Sequence, residues 1–327
     1  MLPLAGRRSL TLTLPLLFAG CLAAPPTPIE APVEPRLNAN AATAREPRSL
    51  VWTTDAAGGR RTWTVDGAGS VIGRADDVRV VAAGRLWAWR EEPEAIETTS
   101  CGHDAEEGSD ASAESRLPPG RGLRATIATA DGAGAGQVVE VVVPATGDGA
   151  QEIEQRVDLV ATVGPYLFVR ESTYAYTCGA HGNVVASFTI WNAERQAAVD
   201  VDIVDLPIVS EAQARAATAL SVDEDVKGFA EKDEPEIALT EVLPHFSHDA
   251  ELTVDLQFTA PTCYACSDGA WSSYSKSTTR TARGVPAALR AWATPTPGVR
   301  AFARAHPELV IGGWSELPAE HVSTRGS

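Results

Sequence analysis

The chain has 327 residues, of which 44% are hydrophobic and 21% are charged. Its formal net charge is −16, with 43 acidic residues against 27 basic ones. This excess of acid argues against binding to nucleic acid and against direct adhesion to anionic lipid, because both of these attract basic proteins. We therefore expect no nucleic-acid partner.

Residues 1–20 have the pattern of an export signal. Arg7 and Arg8 precede the apolar run Leu10–Ala19, which is too short to cross a bilayer. The ending Phe18-Ala19-Gly20-Cys21 resembles the lipobox of bacterial lipoproteins. That resemblance implies removal of residues 1–20 and attachment of lipid to Cys21. The alternative is an ordinary secretory signal that leaves Cys21 as a spare thiol.

Residues 21–49 are predicted to form a disordered tether, because six prolines stand among Ala, Thr and Glu with little to bury. No acidic residue follows Cys21 directly, which resembles lipoproteins that are sent on to the outer membrane. The expected location is thus the bacterial cell envelope, with the chain anchored in the outer membrane through Cys21. Loss of residues 1–20 removes Arg7, Arg8 and no acid, and changes the net charge from −16 to −18.

Residues 50–327 are predicted to form a β-rich body, either as one domain or as two halves, 50–150 and 151–327. Short alternating runs bounded by turn residues predict strands at 50–54, 61–66, 78–82, 86–90, 123–130, 137–143, 159–163, 166–176, 184–191, 199–203, 251–259 and 309–314. Capping and proline signals predict helices at 211–220, 286–292 and 297–306. The charged stretches 91–114 and 223–236 are predicted as exposed loops. The fold class is α+β, predominantly antiparallel β-sheet with about three short helices in the C-terminal half.

Two hairpins in the body are similar. Gly164-Pro165 separates the apolar runs Leu159–Val163 and Tyr166–Val169, and Ala83-Gly84 separates another pair of strands. The two glycines are 80 positions apart (164 − 84), and a cysteine follows each hairpin, Cys101 and Cys178. This spacing indicates a weak internal repeat of a hairpin followed by a cysteine.

Four cysteines remain beyond Cys21: Cys101, Cys178, Cys263 and Cys266. An even number in an exported chain predicts two disulfides, for which three pairings exist. The repeat favours Cys101–Cys178, and close spacing favours Cys263–Cys266. Zinc ligation and a redox dithiol are the alternatives, but the spacings match no zinc module. We expect no metal and no cofactor.

The stretch Tyr174-Ala-Tyr-Thr-Cys-Gly-Ala-His-Gly, the strand end Ile190-Trp-Asn and Val204-Asp-Leu before a helix resemble a known extracellular domain. That domain is the lysozyme-binding part of certain membrane anti-sigma factors, and it also precedes some cell-wall deacetylases. Phe258 to Gly269 and Val285-Pro-Ala-Ala-Leu289 occupy comparable places, so the resemblance covers about residues 157–292. It implies a related fold and suggests lysozyme as one ligand to test.

The candidate binding residues are Tyr174, Tyr176, His181 and Trp191. Tyr174 and Tyr176 are two apart on one predicted strand and so share a face, and His181 lies in a glycine-flanked turn beyond them. The alternative is that both tyrosines pack inward as core residues.

The predicted function is a non-catalytic envelope lipoprotein that binds a protein or a cell-wall glycan. The acidic charge favours a basic, lysozyme-like protein, and peptidoglycan is the other expected ligand. The alternative is an envelope hydrolase with a site built on His181, His245 and His248. No catalytic residue is assigned.

Overall fold

The computed structural model describes residues 47–99, 120–130, 136–147, 149–177, 182–199, 203–229, 236–262 and 275–318. Arg45–Ser327 group into one compact unit. The predicted signal and almost all of the predicted tether lie outside the described residues. Within the described ranges, no helix is both long and apolar enough to cross a membrane.

The described chain is mostly β-strand, and all of its helices lie in the C-terminal half, in agreement with the predicted class. The strands are β1 (Arg48–Thr54), β2 (Arg60–Val65), β3 (Val71–Ala75), β4 (Arg79–Ala82), β5 (Arg85–Ile96), β6 (Gly120–Thr129), β7 (Val138–Val142), β8 (Glu152–Val163), β9 (Tyr166–Tyr176), β10 (Asn183–Asn192), β11 (Ala197–Val199), β12 (Ala238–Phe246), β13 (Leu252–Pro261), β14 (Ser275–Thr281) and β15 (Val310–Leu317). The helices are α1 (Leu206–Leu220), α2 (Glu224–Phe229) and α3 (Pro297–Ala305), with a 3₁₀ helix at Ala287–Trp292.

Twelve strands form one large sheet whose main order is β11-β10-β9-β8-β15-β1-β2-β3. A branch leaves β8 through β6, which also pairs with β5 and β7, and β4 pairs with β5. The last strand, β15, lies between β1 and β8, so residues from both predicted halves build the same sheet. A separate antiparallel sheet contains β12, β13 and β14.

The large sheet is buried on both faces near its centre. Leu159 and Leu167 face one core, together with Trp52 and Trp87. Phe168 faces a second core, formed with the small sheet and the buried face of α1. Because both faces are covered, the apolar runs on either side of Gly164-Pro165 are continuous rather than alternating. A third cluster packs α3, through Phe302, against β1 and β15.

A buried amide joins the branch to the main sheet. The side chain of Gln155 is 3% exposed, and its Oε1 accepts the backbone N–H groups of Leu123 and Ala145, both at 2.9 Å. Its Nε2 donates to the Val143 carbonyl at 3.0 Å and to Glu171 Oε1 at 2.7 Å. All of its donor and acceptor capacity in this buried position is therefore used.

The structure corrects several element boundaries. Helix α1 begins at Leu206, five residues before the predicted start, because Pro207 occupies its first turn and Asp205 stands at the N-cap in place of Ser210. The predicted loop at 223–236 contains α2, and the predicted loop at 91–114 begins with the end of β5, which β6 holds in register as far as Ile96. Strands β3, β12 and β14 are additional to those predicted from the sequence.

Candidate functional site

Tyr174 and Tyr176, which were predicted to bind a partner, lie on one surface formed by β8, β9 and β10. This surface is at the end of β9 that is remote from the Gly164-Pro165 turn. We call this surface the distal face and define it as Glu152, Glu154, Tyr174, Tyr176 and Val184. Tyr174 pairs with Glu154 on β8 and with Val184 on β10, and Tyr176 pairs with Glu152. Because directly opposed residues project to the same side of a sheet, the two tyrosines lie between two carboxylates and a valine.

The opposite side of the sheet is covered by other residues behind the distal face. Ile153 and Ala175, which alternate with the distal-face residues, pack with Ile96 and Ala150 in a small apolar cluster. Both tyrosines are partly exposed on the side away from that cluster, Glu152 is exposed, and Val184 is 38% exposed. Among the described residues, neither tyrosine belongs to a core cluster.

Gly182 supports Tyr174 through its lack of a side chain. A Cβ built on Gly182 would fall 2.5 Å from both Cζ and Oη of Tyr174, so the ring lies directly against the glycine backbone. Its φ is not in the left-handed region, so space rather than backbone conformation is the reason for a glycine here. Any larger residue at 182 would push the phenol away from its present position.

An ion pair connects the strand of the tyrosines to the small sheet. Arg170 donates from Nη2 to Glu241 Oε2 at 2.5 Å and from Nε to Oε1 at 3.1 Å. The hydrogen bonds to Glu241 raise the pKa of Arg170 above its usual value. Glu241 is 7% exposed, and the pair links β9 to β12 at a point four residues along β9 from Tyr174.

Trp191 lies on the opposite side of the large sheet from Tyr174 and Tyr176. It pairs with Leu167 on β9 and packs against the core that contains Trp52 and Trp87. Its partly buried position assigns it to packing, and the structure does not bring it to the distal face.

The four predicted disulfide cysteines and His181 lie outside the described residues. The strand ends that precede Cys101 and Cys178 are described, and both border the same short segment. Thr99 N–H donates to the Ala150 carbonyl at 2.8 Å, and Gln151 N–H donates to the Tyr176 carbonyl at 2.7 Å. Thr99 and Tyr176, each two residues before one of these cysteines, are therefore both hydrogen-bonded to the segment Ala150-Gln151, which lies between them.

The two described histidines of the alternative hydrolase site each contact a different carboxylate. His245 is on β12, 51% exposed and 3.7 Å from Asp255, whereas His248 is in the following turn, 78% exposed and 3.7 Å from Asp249. Among the described residues, no group of three or more His, Cys, Asp or Glu side chains is placed to hold a metal ion.

Lys276 is held as a cation between Asp223 and Asp225, each 3.0 Å from Nζ. Hydrogen bonds to Asp225 and then to Asp223 raise its pKa well above the usual range. The ammonium therefore stays protonated at neutral pH, and we assign it to fixing α2 on β14 rather than to acid–base chemistry.

The sequence analysis did not identify a cleft at the opposite end of β9. It has a volume of about 330 Å³ and lies between the turns of the two similar hairpins, Ala83-Gly84 and Gly164-Pro165. Its lining also includes three small apolar residues, two tryptophans, a serine and two glutamates: Val81, Ala82, Ala291, Trp292, Trp314, Ser315, Glu194 and Glu316. The sequence feature that relates to this cleft is the hairpin repeat, because the turns of both similar hairpins line it.

Comparison of the chain with models of known protein families, with curated proteins and with solved structures finds no match.

Proposed function

We propose that this protein is a non-catalytic envelope lipoprotein, anchored through Cys21, whose body binds a basic protein or a cell-wall glycan through the distal face. The observation that carries the proposal is the placement of Tyr174 and Tyr176 on one face of β9, directly opposite Glu154 and Glu152 on β8. This group lies on the side of the sheet away from the local apolar cluster.

The chemistry of the distal face suits such a partner. Tyrosine offers a large apolar ring together with a hydroxyl that both donates and accepts hydrogen bonds, and aromatic residues often dominate binding energy at interfaces. The two carboxylates can pair with lysine or arginine side chains, or accept hydrogen bonds from sugar hydroxyls. The net charge of the chain, −16, would also attract a basic partner at long range and speed its association at low salt.

The position of the distal face supports the same function. Arg48 begins β1, and the register through β15 and β8 places Val51 level with Tyr166 at the start of β9. From there β9 runs away from Arg48 to Tyr176, a length of about 30 Å at the usual rise per strand residue. The distal face therefore lies at the end of the body remote from the residue at which the tether joins it.

Charge-matched variants test this proposal. The soluble mature chain with Cys21→Ser would be titrated with lysozyme and, separately, with soluble peptidoglycan fragments. We expect Tyr176→Ala to weaken binding of at least one of these ligands about tenfold or more, as for an interface anchor. Glu152→Gln should weaken lysozyme binding more than Glu308→Gln, a control that removes the same charge from an exposed site before β15.

Three results would contradict the proposal. One is that neither ligand binds. The second is that Tyr176→Ala binds as tightly as the unmodified chain while its circular dichroism and thermal transition are unchanged. The third is equal effects of Glu152→Gln and Glu308→Gln, which would show that only the net charge acts and that the distal face is not the binding surface.

A further inference from the structure

Strand β10 leaves one edge of the large sheet open. It pairs with β9 along its whole length, Asn183–Asn192, but with β11 only over Ile190–Asn192. Among the described residues, no strand lies beside the outer edge of residues 185–189. We call residues 185–189 the open edge. Its first side chain, Val185, is 67% exposed, so this part of β10 is accessible to a partner.

The backbone groups of the open edge point away from β9 at alternate residues. Ala193 N–H donates to the Pro165 carbonyl at 2.8 Å. The register of β9 with β10 is continuous, and the direction of the N–H groups alternates along an antiparallel strand. The odd-numbered residues of the open edge therefore bond to β9. Ala186 and Phe188 direct their N–H and C=O groups outward, where they can form up to four hydrogen bonds with an added strand.

The open edge lacks the features that protect the other edges of the two sheets. Natural proteins protect a sheet edge with charged residues, proline, bulges or very short strands. The other terminal strands have such features: β4 and β11 contain four and three residues, β3 and β7 each have a register shift and a charged residue, β12 has a register shift and Pro244, and β14 contains Lys276 and Arg280. The open edge, Val-Ala-Ser-Phe-Thr, has no charge, no proline and no register shift.

A second copy of this chain does not fit the open edge. Antiparallel pairing of residues 185–189 with themselves is centred on Ser187, and it places Ile190 of one copy opposite Val184 of the other. That side of Ile190 is already occupied by Val199 on β11. Each copy also has a formal net charge of −16, which opposes their association.

The N-terminal tether does not fit the open edge either. Its prolines lack the N–H group that an added strand must donate. The proline-free part, residues 36–46, would have to span on the order of 30 Å, because Arg48 and Ser187 are separated by four strand spacings and by the rise of about eight strand residues. Such a segment extends to about 40 Å at most, so about three residues would remain to pair.

We propose that the open edge binds an extended, proline-free segment of a partner protein as an added antiparallel strand. Ala186 and Phe188 supply the main-chain hydrogen bonds, which give affinity in this mode of recognition. A β-branched or aromatic residue of the segment covers Val185, and flanking lysine or arginine residues are attracted by the acidic charge of the chain. Strand addition uses the backbone of β10 rather than the side chains of the distal face, and it is therefore independent of the proposed function.

A peptide titration tests the inference on the mature chain carrying Cys21→Ser. The probe is fluorescein-labelled Lys-Lys-Thr-Val-Thr-Val-Thr-Lys-Lys. The control peptide has the same sequence with its three central amides N-methylated, which keeps the charge and removes the hydrogen-bond donors. At physiological salt we expect saturable binding of the probe and binding of the control peptide that is about tenfold or more weaker.

Variants of the open edge test where the probe binds. Ala186→Pro removes one outward N–H at a position where an edge strand tolerates proline, and it should weaken binding about tenfold or more. Val185→Lys should weaken binding severalfold, because a charge on an edge strand opposes pairing. Val222→Lys is its matched control: it makes the same change of charge at a side chain that is 68% exposed, and it should leave binding unchanged. Tyr176→Ala, on the distal face, should also leave it unchanged.

Three results would overturn the inference. The first is that the probe does not bind saturably, and the second is that the N-methylated peptide binds equally tightly. The third is that Ala186→Pro and Val185→Lys bind the probe as tightly as the unmodified chain; if Ala186→Pro does not fold, Val185→Lys alone decides. Sedimentation that shows a dimer of the unmodified chain and a monomer of Val185→Lys would also overturn it, because a second copy would then occupy the open edge.

Discussion

Glycine residues determine where large indole rings can lie in this protein. Trp52 is 2% exposed, and its ring lies against Gly312 so closely that a Cβ at that position would overlap the indole. The Trp52 Nε1 donates to Thr162 Oγ1 at 2.7 Å, and Gly313 leaves room for that hydroxyl. The pair Gly312-Gly313 thus lets β15 pass directly under a buried tryptophan between β1 and β8.

Gly312→Ala is predicted to lower the free energy of unfolding by about 2–3 kcal/mol, because a methyl group must displace a buried ring from a packed core. Gly67→Ala is the control: its nearest neighbour would lie 3.8 Å from the new Cβ, so the change should be within about 0.5 kcal/mol. Urea denaturation of both variants measures this difference. Equal stability of the two would show that the Trp52 ring does not depend on the glycine.

At the scale of elements, the Arg170–Glu241 pair links the small sheet to the large one in addition to the apolar core that the two sheets share. Removing one partner leaves the other charge poorly solvated, whereas removing both leaves none. Arg170 is 39% exposed at its side chain, so solvent screens part of the interaction.

We therefore predict that Arg170→Met destabilises the protein by about 1–3 kcal/mol, below the usual cost of breaking a fully buried pair. The double variant Arg170→Met/Glu241→Met should recover most of that loss. A double-mutant cycle in chemical denaturation measures both quantities. A double variant that is less stable than either single variant would contradict this assignment of the pair.

The strand ends near Ala150 and Gln151 bear on the predicted disulfides. A Cys101–Cys178 bond would close a 77-residue interval (178 − 101) and should stabilise the fold by about 4 kcal/mol from loop entropy. The local Cys263–Cys266 bond should contribute less. Peptide mapping without reduction is expected to recover both bonds. A peptide that joins Cys101 or Cys178 to Cys263 or Cys266 would refute this pairing.

The sequence predicted most of the elements that carry an alternating or continuous apolar pattern. The hairpin at Gly164-Pro165, the strand at 251–259 and the helix after Pro297 are present, with Thr296 accepting the Val299 N–H at the N-cap of that helix. Strand β14 (Ser275–Thr281) contains only Ser, Thr, Lys and Arg, so no apolar alternation marks it in the sequence. Strand β12 contains Pro244, which ordinarily argues against a strand interior.

The distal face and the cleft differ in how much of each could be predicted from the sequence. Period-two alternation places Tyr174 and Tyr176 on one face, and the structure shows that arrangement. Trp191 was predicted to share the binding surface, but it lies on the next strand, and only the register of β9 with β10 reveals that it lies on the opposite face. The cleft depends on five separate segments, and their approach follows from the insertion of β15 between β1 and β8, which no local pattern indicates.

At the scale of the whole molecule, we base the proposal of a cell-envelope location without a nucleic-acid partner on the acidic net charge and on the predicted export signal. The predicted lipid anchor gives this proposal its simplest test. Expressed in a bacterial host, the unmodified chain should fractionate with membranes, and Cys21→Ala should be recovered in the soluble fraction. Equal solubility of the two forms would refute lipidation at Cys21.

The central proposal is that the distal face is the surface that contacts the partner, and a hydrogen-exchange footprint tests it most directly. Backbone amide exchange of the mature chain carrying Cys21→Ser would be compared with and without lysozyme or peptidoglycan fragments at saturating concentration. The account predicts slower exchange in the partner-bound state for Glu152–Glu154 and Ser172–Tyr176, and no change in β2 or β3. Protection that excludes both of these segments, or unchanged exchange throughout the chain, would contradict it.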